Sequence, residues 1–273
     1  MDPNVAGSSP VDRPLLSRPP LSLLQALLLG IVQGLTEFFP VSSSAHLRLA
    51  RTLLGLSEGE HWVYFDLLCH AGTWAALVWY LKKDIWGVLS SPKKIALFSL
   101  ALFPLVPAYF LLKPLRLFFS APAYTGYFLL ITSALLFLAA RVRTLSPSLQ
   151  WRSVLCIGMM QALALLPGIS RSGSTISAAR LCGWSWMDGA RFSFLLAVPT
   201  ILGGEVLESY QLLKNAKTIP FSLTALAMGF VASFALGLLT VRFVFRLYER
   251  GTVKPVAWYC LAVGFVMLWV FHG

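Results

Sequence analysis

Charged residues are scarce in this chain of 273 residues, and long stretches carry none at all. Asp, Glu, Lys and Arg make up 12% of the sequence, against about 25% in an ordinary soluble domain. The chain is 57% hydrophobic with a mean hydropathy of +0.73. Its apolar blocks run to roughly 20 residues, the length that crosses a bilayer core. This composition excludes an ordinary soluble domain and predicts an integral membrane protein.

Acidic residues are half as frequent as basic ones, 11 against 22, and the formal net charge is +11. In a soluble chain this balance would suggest a nucleic-acid partner. Here no basic run is interleaved with aromatic residues, and the bases lie mostly between apolar blocks, where they orient helices or meet anionic lipid. We therefore expect membrane lipids as partners and no nucleic acid.

Cysteine is also scarce, with four residues and no CxxC pair, so we interpret all four as small buried apolar side chains rather than metal ligands or disulfides. The first 20 residues are rich in Pro, Ser and charge, and no basic segment precedes an apolar run. We expect residues 1–20 to form a mobile tail without a signal peptide, and residues 21–273 to form one membrane domain.

Six stretches are apolar and long enough to span a membrane as helices. They are residues 62–81, 95–112, 123–141, 190–210, 221–241 and 255–271. Two further apolar stretches, 21–54 and 153–181, begin as helices and then break at proline and small polar residues. Non-helical backbone at membrane depth survives only where it is buried in protein or lines a wet cavity. We therefore predict that both stretches are re-entrant helical hairpins.

An internal repeat supports this assignment. Pro40 and Pro167 are 127 residues apart, and so are the segments "FDLLCHAGT" and "FSFLLAVPT", which begin at Phe65 and Phe192. The halves, 21–147 and 148–273, would each hold one hairpin and three spans. Because three is odd, the second half must be upside down relative to the first, which is the inverted-repeat plan. The predicted fold is thus all-α, with six transmembrane helices and two re-entrant hairpins.

Basic residues between the predicted spans indicate the orientation. Thirteen lie on the face of Lys82 and Arg191, and eight on the face of Lys113 and Lys214. The positive-inside rule assigns the richer face to the cytoplasm and both termini to the outside.

The second hairpin reads "LLPGISRSGSTIS" and carries Arg171 at predicted membrane depth. A helix that starts with Gly and Ser leaves free N–H groups, which bind anions, and a guanidinium can hold two phosphoryl oxygens. The hydroxyl donors around Arg171 are Ser170, Ser172, Ser174 and Thr175. The alternative is a tight turn with capping serines and an arginine that extends to the surface. Intramembrane charge is rarely retained without a function, which favours the anion site.

The first hairpin, with "EFFPVSSSAHL", supplies complementary groups. Gln33 and Glu37 are four residues apart and share a helical face, where Glu37 can bind Mg²⁺ or Ca²⁺ or act as a base. The serines Ser42, Ser43 and Ser44 cap the following helix or offer a nucleophile, and His46 can carry a proton or attack phosphorus. Carboxylate, hydroxyl, imidazole and guanidinium together predict a phosphoryl-transfer site.

Other polar residues in the spans carry less information. Asp66 and His70 are four apart and are weaker candidates for the site; we interpret them as a pair on one helix, and the sequence leaves open whether they belong to the site. Glu205 and Glu208 lie late in the span 190–210, where Glu205 is interpreted as interfacial.

"QGLTEFFPVSSSAH" (33–46) and "PGISRSGSTIS" (167–177) closely resemble the two signature motifs of the undecaprenyl pyrophosphate phosphatases, also called bacitracin-resistance proteins. The resemblance implies an enzyme that removes the terminal phosphate of a C55 polyprenyl diphosphate. It also implies a divalent-cation requirement, with Glu37 as ligand, and an active site facing outward. The family's functional residues fall on Gln33, Glu37, Ser43, His46, Ser170, Arg171 and Thr175, with Ser42, Ser44, Ser172 and Gly173 beside them.

The resemblance leaves several matters open. A serine, the histidine or a metal-activated water can be the nucleophile, and Gln33 is the uncharged option of its motif. A transporter or flippase of polyprenyl phosphate is the main alternative function, because inverted repeats are the usual plan of secondary transporters. A non-catalytic lipid-binding scaffold is a third. A homodimer is compatible with the sequence.

Overall fold

The computed structural model describes residues 21–57, 59, 61–145, 149–214, 221–251 and 253–272. Within these ranges it contains twelve α-helices and no β-strand. The helices are α1 (Leu23–Thr36), α2 (Ser43–Leu53), α3 (Trp62–Leu89), α4 (Pro92–Leu102), α5 (Leu105–Leu111), α6 (Lys113–Phe118), α7 (Pro122–Ala139), α8 (Trp151–Leu163), α9 (Arg171–Leu181), α10 (Trp186–Lys214), α11 (Leu223–Glu249) and α12 (Lys254–His272). The all-α prediction is confirmed for this part of the chain, and the predicted tail 1–20 lies outside it.

Five helical segments are long and apolar enough to cross a membrane, as expected for a multi-pass membrane protein. They are Pro92–Leu111, Pro122–Ala139, Trp186–Lys214, Leu223–Glu249 and Lys254–Phe271. Each overlaps one predicted span. The first joins α4 and α5, which are separated at Phe103 and Pro104.

The remaining predicted span, 62–81, lies in α3. With 28 residues, α3 reaches about 42 Å at 1.5 Å per residue, which exceeds a bilayer core. It is not among the five apolar segments. Asp66 and His70 lower its hydropathy near the N-terminal end. The count of six transmembrane helices therefore stays a prediction.

Both predicted breaks occur where the prolines lie. Helix α1 ends at Thr36 and α2 begins at Ser43, on either side of Pro40. Helix α8 ends at Leu163 and α9 begins at Arg171, on either side of Pro167. A proline lacks the backbone N–H that a continuous helix needs at that position, and its ring clashes with the preceding turn.

The order of elements in the second half repeats that in the first. A pair of helices separated by a break is followed by one long helix and then by two apolar segments. The starts of α1 and α8 are 128 residues apart (151 − 23), as are the starts of α2 and α9 (171 − 43). Only α6 has no counterpart among the described helices.

The two halves also exchange packing partners at equivalent positions. Helix α1 packs against α11, and α8 packs against α4. In the first crossing, a Cβ built on Gly30 would lie 2.7 Å from the carbonyl oxygen of Gly229. In the second, a Cβ built on Gly158 would lie 2.3 Å from the carbonyl oxygen of Ala101. Since Gly158 follows Gly30 by 128 residues and Gly229 follows Ala101 by the same interval, one close crossing occurs twice.

The largest apolar cluster lies under the first break. Phe38, directly after Glu37, is fully buried and meets Phe194 of α10 edge-on, with ring centroids 5.8 Å apart. Phe194 in turn meets Phe245 of α11 at 5.3 Å. Because this cluster joins the break to two long helices, it fixes the position of Glu37, the polar residue directly before Phe38.

Candidate active site

Glu37, at the C-terminal end of α1, lies at the centre of a network of polar contacts. Its Oε2 atom accepts a hydrogen bond from the Ser43 hydroxyl at 2.7 Å and another from the Gln33 amide at 3.0 Å. Gln33 and Glu37 are four residues apart on one helical face, as predicted, and the break after Thr36 folds Ser43 back toward them. The first hairpin thus presents a hydroxyl that is hydrogen-bonded to a carboxylate.

Arg171, the first residue of α9, reaches the same carboxylate from the second hairpin. Its Nη2 atom donates to Glu37 Oε1 at 2.7 Å, although the residues are 134 positions apart in sequence. At the same helix start, the Ser170 side chain accepts a hydrogen bond from the Gly173 amide at 3.0 Å, which is an N-terminal cap. The structure therefore brings Glu37, Ser43 and Arg171 together at the N-terminus of a helix, where anions are favoured.

A cavity of about 420 Å³ opens beside these residues. Its polar lining from the two hairpins consists of Thr36, Glu37, Ser42, Ser43, Ser44, Ser170, Arg171 and Ser172. Asp66 and His70 of α3 and Glu205 and Glu208 of α10 complete the polar part. Its apolar lining consists of Val63, Leu67, Ala164, Ile169 and Ile201. The cavity therefore combines hydroxyl, cationic and carboxylate groups with a hydrocarbon wall.

The irregular backbone of the first break is satisfied by side chains from other elements. The Ser172 hydroxyl donates to the carbonyl of Phe39 at 3.1 Å, and the Cys260 thiol donates to the carbonyl of Pro40 at 3.4 Å. Unsatisfied backbone groups are strongly destabilising away from water, so these contacts stabilise the break at the proposed membrane depth. They also tie the first hairpin to α9 and α12.

The chain matches a protein-family model described as bacitracin resistance protein BacA over residues 26–266. The chain belongs to the BacA family. The undecaprenyl-diphosphatase of Protochlamydia amoebophila is 40% identical over 248 residues, covering 89% of this chain and 96% of the relative. That of Christiangramia forsetii is 37% identical over 258 residues, covering 89% and 96%. That of Geotalea daltonii is 35% identical over 271 residues, covering 91% and 98%.

In this BacA family member, His46 does not line the cavity as its grouping with Glu37 and Arg171 predicts. Its side chain is 8% exposed and points toward α12. Nδ1 lies 2.9 Å from the Ser42 carbonyl oxygen, and Nε2 lies 2.9 Å from the Tyr259 hydroxyl. Both ring nitrogens are therefore engaged away from Glu37. The sequence could not show this, because the direction of His46 depends on where α12 packs.

His70 is the imidazole that faces the site. Its Nε2 atom lies 3.7 Å from Glu37 Oε2, and its Nδ1 lies 2.8 Å from the backbone oxygen of Asp66. The predicted side-chain pair of Asp66 and His70 is wrong, since the Asp66 carboxylate instead forms an ion pair with Arg51 of α2. The only sequence signal for a functional role of His70 is its presence in an otherwise apolar span.

Glu205 and Glu208 are further cavity residues that the sequence did not place. They lie late in α10, and nothing in their spacing indicates that they face the hairpins. Since α10 packs against both α3 and α9, its last turns approach the cavity. The interpretation of Glu205 as an interfacial residue therefore missed its place in the cavity lining.

Three predicted substrate-binding residues, Gln33, Gly173 and Thr175, are absent from the cavity lining among the described residues. The Thr175 hydroxyl is buried, 2.6 Å from that of Ser193 and 2.9 Å from the Arg171 carbonyl oxygen, to which it donates. A Cβ at Gly173 would lie 2.9 Å from Thr132 Cγ2, so a larger residue there would displace a neighbouring side chain. Gly173 and Thr175 contact the framework of α9, while Gln33 contacts Glu37 without lining the cavity.

A divalent cation fits these residues only if a phosphorylated substrate supplies some of its ligands. Among the described residues, no three His, Cys, Asp or Glu side chains gather into a metal-binding group. The cavity nevertheless offers hard carboxylate oxygens from Glu37, Asp66, Glu205 and Glu208. Mg²⁺ is commonly held by one or two carboxylates together with substrate phosphates and water. The residues therefore suit a cation that arrives with a phosphorylated ligand.

Proposed function

We propose that this protein is a membrane phosphatase that hydrolyses undecaprenyl, or more generally polyprenyl, diphosphate to the monophosphate and inorganic phosphate. Such a reaction recycles the lipid carrier for cell-wall glycan synthesis. One observation carries the proposal: the Ser43 hydroxyl, the Glu37 carboxylate and the Arg171 guanidinium meet at one wall of a cavity that also has an apolar lining. The names of the relatives support the same substrate.

Arg171 and the start of α9 would hold the terminal phosphate. Arg171 lines the cavity with a partly exposed side chain, and within the described part of the chain its buried Nη1 atom has no hydrogen-bond partner, so the guanidinium keeps an unused donor beside the cavity. Ser170 lines the same wall and offers a hydroxyl donor, whereas the Ser172 hydroxyl, also on that wall, donates to the Phe39 carbonyl. Charge-assisted hydrogen bonds from a guanidinium are stronger than those between neutral groups. The arrangement therefore suits the charge that spreads over the phosphoryl oxygens during transfer.

Ser43 is our choice of nucleophile among the serine, the histidine and a water. Its hydroxyl already donates to Glu37 at 2.7 Å, the geometry of a nucleophile beside its base. As Ser43 Oγ bonds to the terminal phosphorus, its proton passes to Glu37 and the bridging P–O bond breaks, releasing polyprenyl monophosphate. Water then cleaves the phosphoserine, which returns the proton to Ser43 and releases inorganic phosphate.

We also propose Mg²⁺ or Ca²⁺ as a cofactor, with Glu37 as one ligand and the diphosphate as another. When bound, the cation would neutralise charge on the diphosphate oxygens. Because Gln33 is uncharged, a second carboxylate ligand would come from Asp66, Glu205 or Glu208, which also line the cavity.

The proposed membrane arrangement follows from the same lining residues. We propose six transmembrane helices and two re-entrant hairpins in an inverted repeat, with both termini outside. The repeated order of elements and the repeated crossings of α1 and α8 support it. The cavity involves early residues of α3 and late residues of α10, at the helix ends opposite the base-rich face with Lys82 and Arg191. It would therefore face outward, and the isoprenoid tail would leave between helices into lipid.

A flippase of polyprenyl phosphate is the second candidate, and the exchange of packing partners between repeats favours it. Transport requires the cationic group of Arg171 but not a hydroxyl paired with a carboxylate. The Ser43–Glu37 contact therefore makes hydrolysis the better supported function.

The deciding experiment measures inorganic phosphate released from undecaprenyl diphosphate by the purified protein in detergent, with and without Mg²⁺ or Ca²⁺. We expect cation-dependent release. Arg171→Ala and Glu37→Ala should each lower kcat/KM by about 100-fold or more, since single charge-stabilising groups contribute about that much. Arg191→Gln, which removes an exposed arginine outside the cavity, is the matched control and should retain activity. Folded protein that releases no phosphate would contradict the hydrolase assignment.

A further inference from the structure

We propose that His46 is a positioning residue, held by Tyr259, which fixes the Ser42–Ser43 turn rather than exchanging a proton with substrate. The inference rests on the proposed function, because it assigns a role within that reaction. It starts from a contact between the two halves of the chain. Nε2 of His46 on α2 lies 2.9 Å from the hydroxyl of Tyr259 on α12, 213 residues away in sequence.

The hydrogen bonds define how the ring is used. A carbonyl oxygen can only accept, so the 2.9 Å contact with the Ser42 carbonyl requires that His46 Nδ1 carries the hydrogen. In the neutral ring, Nε2 then accepts from the Tyr259 hydroxyl. Hydrogen bonds thus run from the Tyr259 hydroxyl through the His46 ring to the Ser42 carbonyl. Both ring nitrogens are used in this chain, and neither is directed at the cavity.

Ser42 is the residue that needs such support. Its φ is +66° and its ψ is 96°, and it is the only non-glycine residue with positive φ among those described. Residues other than glycine rarely adopt this backbone conformation, and it persists only where the surrounding structure imposes it. Ser42 makes no side-chain cap to α2 and bonds Ser44 instead, with the two hydroxyl oxygens 3.2 Å apart. The His46 contact therefore holds the carbonyl that starts α2.

The position of Ser43 depends directly on this turn. Ser43 follows Ser42, and its hydroxyl must lie 2.7 Å from Glu37 to donate its proton. Two successive residues of α12 contact the first hairpin. Tyr259 contacts His46, and the Cys260 thiol donates to the Pro40 carbonyl. Loss of the His46 contact would let Ser43 move, and a displacement of about 1 Å can lower a rate by about 100-fold.

Two substitutions of His46 separate positioning from proton transfer. The amide of asparagine can occupy the place of Nδ1 and donate to the Ser42 carbonyl, whereas alanine cannot. We expect His46→Ala to lower kcat about 100-fold with little change in KM, and His46→Asn to stay within about 10-fold of wild type. His46→Asn should also keep both limbs of the wild-type pH profile of kcat. If His46→Asn is as impaired as His46→Ala, or loses one limb, the proposal is overturned.

Tyr259 provides an independent test. Tyr259→Phe removes only the hydroxyl and should lower kcat up to about 10-fold, while Tyr210→Phe, on an exposed tyrosine, is the control and should not. Combined with His46→Asn, which has already lost Nε2, Tyr259→Phe should add no further loss. Multiplicative losses in the double variant would contradict a shared path. Melting temperatures of all variants identify those that fail to fold.

Failure of this proposal is distinguishable from failure of the proposed function. Wild-type protein that releases no phosphate contradicts the phosphatase assignment. Wild-type activity with equal defects in His46→Asn and His46→Ala contradicts only the positioning role and returns His46 to proton transfer.

Discussion

At the scale of single residues, buried charge is concentrated where the first hairpin meets its neighbours. Glu37 is at the centre of one group of polar contacts, and Arg51 is at the centre of another. Arg51 is 4% exposed, forms an ion pair with Asp66 and stacks on Trp62 with its guanidinium 4.6 Å from the ring centroid. Since Asp66 lines the cavity, this cluster connects the end of α2 with the site.

We predict that Arg51→Gln destabilises the protein more than Arg191→Gln. Removing Arg51 leaves Asp66 without its buried partner, a loss of about 2 kcal/mol or more, or about 5 °C in melting temperature. Arg191 also pairs with an aspartate, Asp84 at 3.6 Å, but its side chain is 58% exposed, and such pairs contribute about 0–1 kcal/mol. Thermal unfolding in detergent measures both. Equal losses would contradict the assignment of Arg51 as a structural anchor.

At the scale of elements, close helix crossings fix the position of the hairpins. Gly30 lets α1 approach α11, and Gly158 lets α8 approach α4. Small residues allow helix backbones to approach closely, which is how packing is gained where lipid supplies no hydrophobic drive. The anchoring residues repeat as well. Arg180 at the end of α9 stacks on Trp186, the first residue of α10, just as Arg51 stacks on the first residue of α3.

Gly158→Ala is therefore predicted to destabilise the fold. The new methyl group would meet the Ala101 carbonyl at 2.3 Å, a backbone atom that cannot turn aside. Overpacking of this kind typically destabilises by about 1–3 kcal/mol. Gly87→Ala in α3 is the matched control, because nothing lies within 4 Å of its Cβ, and it should be neutral or stabilising. Melting temperatures that fall equally in both variants would contradict the crossing as the cause.

At the scale of the whole molecule, the proposed orientation depends on which helix ends carry the bases. Lys83 lies late in α3 and Lys113 begins α6, and the proposed topology puts these two residues on opposite sides of the membrane. The cavity lies toward the side of Lys113 in the proposed topology.

We predict that a cysteine replacing Lys113 is labelled from outside intact cells, whereas one replacing Lys83 is labelled only after permeabilisation. The expectation that all four cysteines are buried is wrong for Cys156, which is the one exposed native thiol in the described part of the chain, so the background carries Cys156→Ser. The partly buried Cys182 serves as an internal check. A cytoplasmic location for Lys113 would reverse the proposed orientation and direct the cavity inward.

Several features followed from the sequence by itself. Pro40 and Pro167 predict the helix breaks because proline cannot continue a helix, and the scarcity of charge predicts the apolar helices. The spacing of Gln33 and Glu37 predicts their shared face, and the two motifs predict the family. All of these depend on chain chemistry or on neighbours within a few residues.

Other features were decided only by the tertiary structure. Glu37 and Arg171 are 134 residues apart, so their contact depends on how the hairpins pack. Similarly, α3 and α10 bring His70 and Glu205 to the cavity, while α12 draws His46 away toward Tyr259. A histidine in an apolar helix has the same local sequence signal whichever way it points. Its direction is determined by the partner that satisfies its hydrogen bonds, and that partner is distant in sequence.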